Sequence, residues 1–258
     1  MGRRLPAYRP GVRLIRLSGW GLKWVGLALA CLSSFSAAVL QRGVLKLDGE
    51  GAMEALQEAM RPGGDAMGWA TGAVLCALAA TLAIPIWAKV VYEGAKQAQR
   101  PSRYLGALAL CALASEVPYD FAMSGRLWDP AVQNPVWGLL LAAIMLVIFR
   151  FRRGKTPTQN TAFQAVVTLA AVLWCLLLRV YMGPILVLLC ALFHFAGRRR
   201  TLAAVGGVLL TLFQFPAPLG LLPVRWYDRE LEEGPGWLFA LLYPVQLAAF
   251  GLWGLLVP

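Results

Sequence analysis

The sequence predicts an all-α protein, a polytopic transmembrane helix bundle of about eight spans with both termini cytoplasmic. Three observations carry this. Of 258 residues, 59% are apolar and only 14% are charged, against about 25% charged in a soluble domain. Several apolar runs approach or exceed the ~20 residues that a helix needs to cross ~30 Å of hydrocarbon. The charges fall in short clusters between those runs, basic and acidic by turns, as expected when Lys and Arg stay on the cytoplasmic side. Only helices and closed barrels satisfy their backbone in lipid, and these runs are too long and too evenly apolar for barrel strands of period two.

The net charge of +11 would suggest nucleic acid in a soluble protein. Here the cations flank apolar spans, so they read as topology signals with an attraction for anionic lipid, and nucleic acid is set aside. Cys31, Cys76, Cys111, Cys175 and Cys190 all lie inside apolar runs without CxxC spacing. They read as small packing residues, with no disulfide framework and no metal site.

Residues 1–19 carry Arg3, Arg4, Arg9, Arg13 and Arg16 and no acid. They form a basic cytoplasmic leader, and residues 20–258 form a single transmembrane domain. The first span covers 20–41. Its apolar stretch outruns an ordinary signal-peptide core, so it reads as retained. Ser33, Ser34 and Ser36 would let a neighbouring helix come close. The loop 42–66 is acidic and lies outside, with a short interfacial helix over 51–60. The second span, 67–92, should kink at Pro85. Lys89 and Glu93 follow at helical spacing, share a face and can pair. Lys96, Arg100 and Arg103 mark the inside.

The third span, 104–123, holds Ser115-Glu116-Val117-Pro118-Tyr119-Asp120. A carboxylate in hydrocarbon costs roughly 2.5–3.5 kcal/mol on insertion scales, so Glu116 needs a reason. Either it belongs to a polar site inside the bundle or it pairs with a basic neighbour such as Lys89 or Arg179. Asp120 falls near the outer interface, where it needs no partner. The fourth span is 135–151, followed by the inside cluster Arg150, Arg152, Arg153 and Lys155. The fifth is 161–178, with a tight outside turn at Arg179 and Tyr181. The sixth is 182–195, then Arg198, Arg199 and Arg200 inside. The seventh is 201–215. The acidic loop 216–235 lies outside, and the eighth span is 237–257. Tryptophans 20, 87, 128, 137, 226, 237 and 253 stand near span ends, as an interfacial belt would.

His194, the single histidine, is a base or ligand candidate, but its place four residues before Arg198 reads as interfacial. Gln246 in the last span is either glue between helices or a site ligand. No P-loop, GxSxG or HExxH motif is present, and no internal repeat of the transporter kind is apparent.

Taken together, the residues resemble the TraX family, polytopic membrane proteins named for a conjugative-pilus gene product linked to N-acetylation of pilin and similar to membrane acyltransferases. The resemblance rests on Leu22-Lys23-Trp24, Pro85, Glu93-Gly94, the Ser115–Asp120 stretch, Gln133-Asn134, Tyr227-Asp228 and Tyr243-Pro244, in that order. It implies acyl or acetyl transfer to an amine or hydroxyl acceptor in the plasma or inner membrane. No cofactor is bound, acyl-CoA is the donor and the acceptor is extracytoplasmic. On that reading Glu116, Glu93 and Asp120 are the catalytic candidates. Ser33, Ser34, Gln133, Asn134, Tyr227, Tyr243 and Gln246 form the pocket. The chain departs from the family pattern where it matters for a base. Ser33-Ser34 stand for an Asp-His pair, Thr81 lies near the place of an arginine, and Gln246 replaces a histidine. Serine and glutamine cannot titrate near neutrality. A non-catalytic protein binding a lipid, glycan or partner is therefore the alternative, and a transporter a distant third.

Overall fold

The computed structural model describes residues 16–47, 52–151, 156–197, 199–228 and 237–257. Most of the basic leader, Asp48, Glu50, Arg152, Arg153, Lys155, Arg198 and the acids of 229–236 lie outside the described residues. Among the described residues all regular elements are helical, and two isolated β-bridges join loops. Among the described residues five helices are long and apolar enough to cross a membrane, and three shorter apolar helices accompany them.

Helix α1 (Gly19–Ser34) starts at Ser18, whose hydroxyl caps the Gly21 N–H at 3.0 Å. It runs directly into a π-helix, Phe35–Val44. The short α2 (Ala52–Ala59) is the amphipathic segment expected over 51–60. Helices α3 (Met67–Ala80) and α4 (Ala83–Gln97) form one broken rod. Pro85 explains the break. It has no N–H to give the Thr81 carbonyl, which instead accepts from Ile84 at 3.1 Å, a tighter turn. Helix α5 (Pro101–Ser124) starts on a proline and ends at Gly125 with φ 75°. The Arg42 guanidinium sits where a side chain at Gly125 would project, and its Nη2 donates to Ala122 O at 3.2 Å at the helix C-terminus.

Helices α6 (Pro135–Phe151) and α8 (Gly183–Ala196) are shorter than the ~20 residues of an ordinary span. They are among the most buried helices and form the centre of the core with α4. Helix α7 (Pro157–Leu177) is an outer helix, capped by Thr156, with most of its side chains exposed for lipid.

The last third of the described chain sets the relation between the first and last helices. Helix α11 (Trp237–Leu256) lies beside α1 and runs in the same direction. Near their starts, Leu17 and Tyr227 form a parallel bridge and Trp20 and Trp24 pack edge-on against Phe239. Near their ends, Phe35 meets Phe250 and Trp253, and Lys46 Nζ reaches the Val257 carbonyl at 3.3 Å. The two described ends therefore lie on opposite faces of the bundle, not on one face.

Between α8 and α11 the stretch expected as a seventh span is a short helix, a turn and a shorter helix. Helix α9 (Arg200–Thr211) enters from the face holding residues 17 and 97. The chain turns in two 3₁₀ segments, Leu212–Gln214 and Ala217–Gly220, and α10 (Leu221–Trp226) returns to the same face. The tip docks on the α3–α4 break. A Cβ on Gly220 would stand 2.1 Å from the Leu82 carbonyl and 2.8 Å from Pro85. Only glycine permits that approach. Irregular backbone at such depth is tolerated where protein covers it, and Ala217 and Gly220 are buried. The outer side of the tip is bare, with Phe213 94% exposed.

A membrane-impermeant thiol reagent separates the two courses. In a cysteine-free background, Arg199→Cys and Arg225→Cys should react from the same side, and Lys46→Cys from the other. Reaction of Arg199→Cys and Arg225→Cys from opposite sides would restore a full seventh span.

Candidate functional site

A cavity of about 740 Å³ lies between α1, α4, α5, α6, α8 and α11. It runs nearly the length of the bundle. Lys23, Glu93 and Gln97 line one end, and Asp120, Ser124 and Asp129 line the other. The middle is apolar, with Ile84, Trp87, Leu108, Leu139, Leu186 and Leu247 on its walls.

The first end is organised by Lys89 and Glu93, one turn apart on α4. Lys89 Nζ donates to Glu93 Oε1 at 2.7 Å, and Glu93 is only 5% exposed. The pair foreseen from the spacing is therefore formed. Three rings surround the ammonium, with centroids 4.8 Å (Tyr92), 5.3 Å (Phe193) and 5.7 Å (Tyr227) away. Ring faces offer a partly desolvated cation an attractive field, and they offset part of the cost of burying the pair. Tyr227 comes from the end of the returning hairpin. It is held there by the backbone bonds Leu17 N to Trp226 O and Asp228 N to Leu17 O, both 2.8 Å. The ring cage could not be read from the sequence, because its members are distant in the chain.

At the other end Asp120 lies one turn before the close of α5. It is 2% exposed, and its Oδ2 accepts the Asp129 N–H at 2.9 Å. Asp120, expected near the outer interface with no need of a partner, is buried and carries this backbone bond. The loop after α5 folds back over it, and Tyr119 and Tyr181 complete this end of the lining.

Glu116 does not line the cavity. One turn before Asp120, it faces the start of α6. Its Oε2 accepts from Asn134 Nδ2 and, at 2.8 Å, from Trp137 Nε1. Its Oε1 is buried without a hydrogen-bond partner. Neither expected cation, Lys89 or Arg179, is its partner; both groups holding it are neutral. Trp137, expected in an interfacial belt, turns its indole inward instead. Asn134 also donates to Ala112 O at 3.0 Å, and its Oδ1 accepts the Val136 N–H at 2.9 Å. One fully buried amide thus caps α6 and ties it to α5.

The remaining candidates divide. Ser33, Ser34, Tyr227 and Tyr243 line the cavity, although the Ser34 hydroxyl is used on Ala30 O of its own helix at 3.2 Å. Gln133 works through its backbone, which exchanges bonds with Arg179 and Tyr181 at 3.1 and 2.9 Å. Gln246 lies outside the lining, and its buried amide has no hydrogen-bond partner; nothing in the structure explains that. His194 lies away from the cavity, 3.3 Å from Gln164 and packed on Phe149 and Phe195.

A family model described as TraX protein matches residues 19–252, which is most of the chain. Comparison with curated proteins and with solved structures finds no match.

The Asn134 clasp has a measurable consequence. Asn134→Ala removes a helix cap and leaves the Glu116 carboxylate and the Ala112 carbonyl short of a donor. It should cost about 2–4 kcal/mol, read as a lowered unfolding midpoint in detergent. Glu116→Gln keeps an oxygen for Trp137 and Asn134 and should cost less than Glu116→Ala. A neutral Asn134→Ala would mean that the clasp is not structural.

Proposed function

The chain belongs to the TraX family, and from that membership we propose that it is an acyltransferase-like membrane protein acting on an amine or hydroxyl acceptor. The observation that carries the proposal is the cavity, which connects the Asp120–Asp129 end with the Lys89–Glu93 end through an apolar middle. Asp120 is the base in this reading. It lines the cavity, and its neighbour Asp129 engages only one of its oxygens by a backbone bond. In the transfer, an acceptor nitrogen or oxygen attacks the acyl carbonyl and the bond from that carbonyl to its leaving group breaks. Asp120 takes the acceptor proton and passes it to the departing group. Glu93 is engaged by Lys89 and shapes the opposite end. Glu116 holds α5 against α6 and positions Asp120 from behind the wall.

The proposed topology is seven crossings and one re-entrant hairpin, with the two ends of the domain on opposite sides. The face carrying Arg16, Lys96, Arg100, Arg103, Arg150 and Arg199 is cytoplasmic, in the plasma or inner membrane. Acyl-CoA is the donor that the family reading supplies.

A second reading is supported by the polar inventory. Ser33-Ser34 and Gln246 stand where the family pattern has groups that titrate, and no histidine lines the cavity. The chain then binds a ligand without turning it over.

Purified protein in nanodiscs, given a labelled acyl donor and a primary-amine acceptor, separates the two. On the first reading Asp120→Asn, which keeps an oxygen for the Asp129 N–H, lowers kcat about a hundredfold or more while donor binding persists. Full activity in Asp120→Asn removes Asp120 as base. Donor binding without transfer by the unmodified chain selects the second reading.

A further inference from the structure

We propose that the cavity holds a long acyl chain, its carbonyl end at Asp120 and its tail pointing towards Leu108. The proposal rests on the reading of this cavity as the ligand site and adds the size of the ligand. An acetyl group would occupy a small fraction of about 740 Å³. The rest would be left as an apolar void or filled by water. Apolar walls offer such water few partners.

The wall chemistry fits a chain. Between Asp120 and Leu108 the lining is supplied by Cys111, Val136, Leu139, Leu186 and Leu247. Twelve residues of helix separate Leu108 from Asp120, a rise of about 18 Å. A lipid tail of one leaflet covers half of the ~30 Å hydrocarbon core, about 15 Å. The apolar stretch thus matches one leaflet's tail in length. Beyond Leu108 the lining turns polar again, with Tyr104, Glu93, Lys89 and Gln97, and a tail has reason to stop there. At the opposite end Tyr119, Tyr181 and Asp129 surround Asp120 with groups suited to an ester or thioester. The same chain chemistry could arrive on a membrane lipid or on a thioester donor.

The test uses the full chain in nanodiscs containing a phospholipid whose palmitoyl chain carries a mid-chain photoreactive diazirine, followed by peptide mapping. The expected result is labelling of Leu108, Cys111, Leu139 or Leu186, displaced by excess unlabelled palmitoyl phospholipid or palmitoyl-CoA, the more effective of the two marking the natural source. Acetyl-CoA should not displace it. Leu108→Trp should lower cavity labelling at least tenfold, while Leu110→Trp, on the outer side of the same helix, should not. Label confined to outward residues such as Leu110 and Val166 overturns the proposal, and so does equal displacement by acetyl-CoA. Mapping of the unmodified chain decides this even where Leu108→Trp fails to fold. Labelling needs no turnover, so a labelled cavity without transfer counts against the catalytic reading alone. Transfer without a labelled cavity counts against the long chain alone.

Discussion

A break in a membrane helix leaves backbone groups that hydrocarbon cannot satisfy, and this fold covers its break with another. Pro85 interrupts the rod formed by α3 and α4 at about its midpoint. The tip of the α9–α10 hairpin closes over that point, with Gly220 against the Leu82 carbonyl. Each irregular segment supplies the protein cover that the other requires. Because the hairpin turns back at the break, α10 returns to the face it came from, and Tyr227 is delivered to the Lys89 cage.

The same turn sets the direction of α11. Close backbone approaches seat it: a Cβ on Gly254 would stand 2.1 Å from the Ala38 carbonyl, and one on Gly251 would stand 2.5 Å from the Phe121 ring. Glycine at these two positions lets α11 lie between the π-helix and α5 and close one wall of the cavity. On the other wall, Asn134 fixes the buried start of α6 to α5. The cavity therefore exists because small residues bring helices together at its ends while larger side chains hold them apart along its middle.

Much of this was legible in the sequence. The apolar runs located the long helices, Pro85 located the break, and the four-residue spacing of Lys89 and Glu93 located their pair. The ordered motifs pointed to the family that the match over residues 19–252 then showed. The course of residues 200–226 was not legible, because a short helix, a Pro- and Gly-rich turn and a shorter helix carry the same hydropathy as a short span. Composition records how apolar a segment is and says nothing of which face it leaves by. The burial of Asp120 and the neutral partners of Glu116 were hidden for a different reason. Both depend on loop and helix-start residues, Asp129, Asn134 and Trp137, which come close only when α6 begins below the end of α5.

The last helix runs alongside the first in the same direction, so that both wall one cavity. Oxidative cross-linking of Leu17→Cys with Tyr227→Cys, in a cysteine-free background and native membranes, tests it most directly. These residues pair across a β-bridge, within reach of a disulfide. Rapid intramolecular cross-linking that leaves the protein folded is expected. If the loop before the last helix lay on the opposite side of the membrane, the two positions would be separated by about 30 Å of hydrocarbon. No intramolecular cross-link would then form, and the parallel course of the two helices would be ruled out.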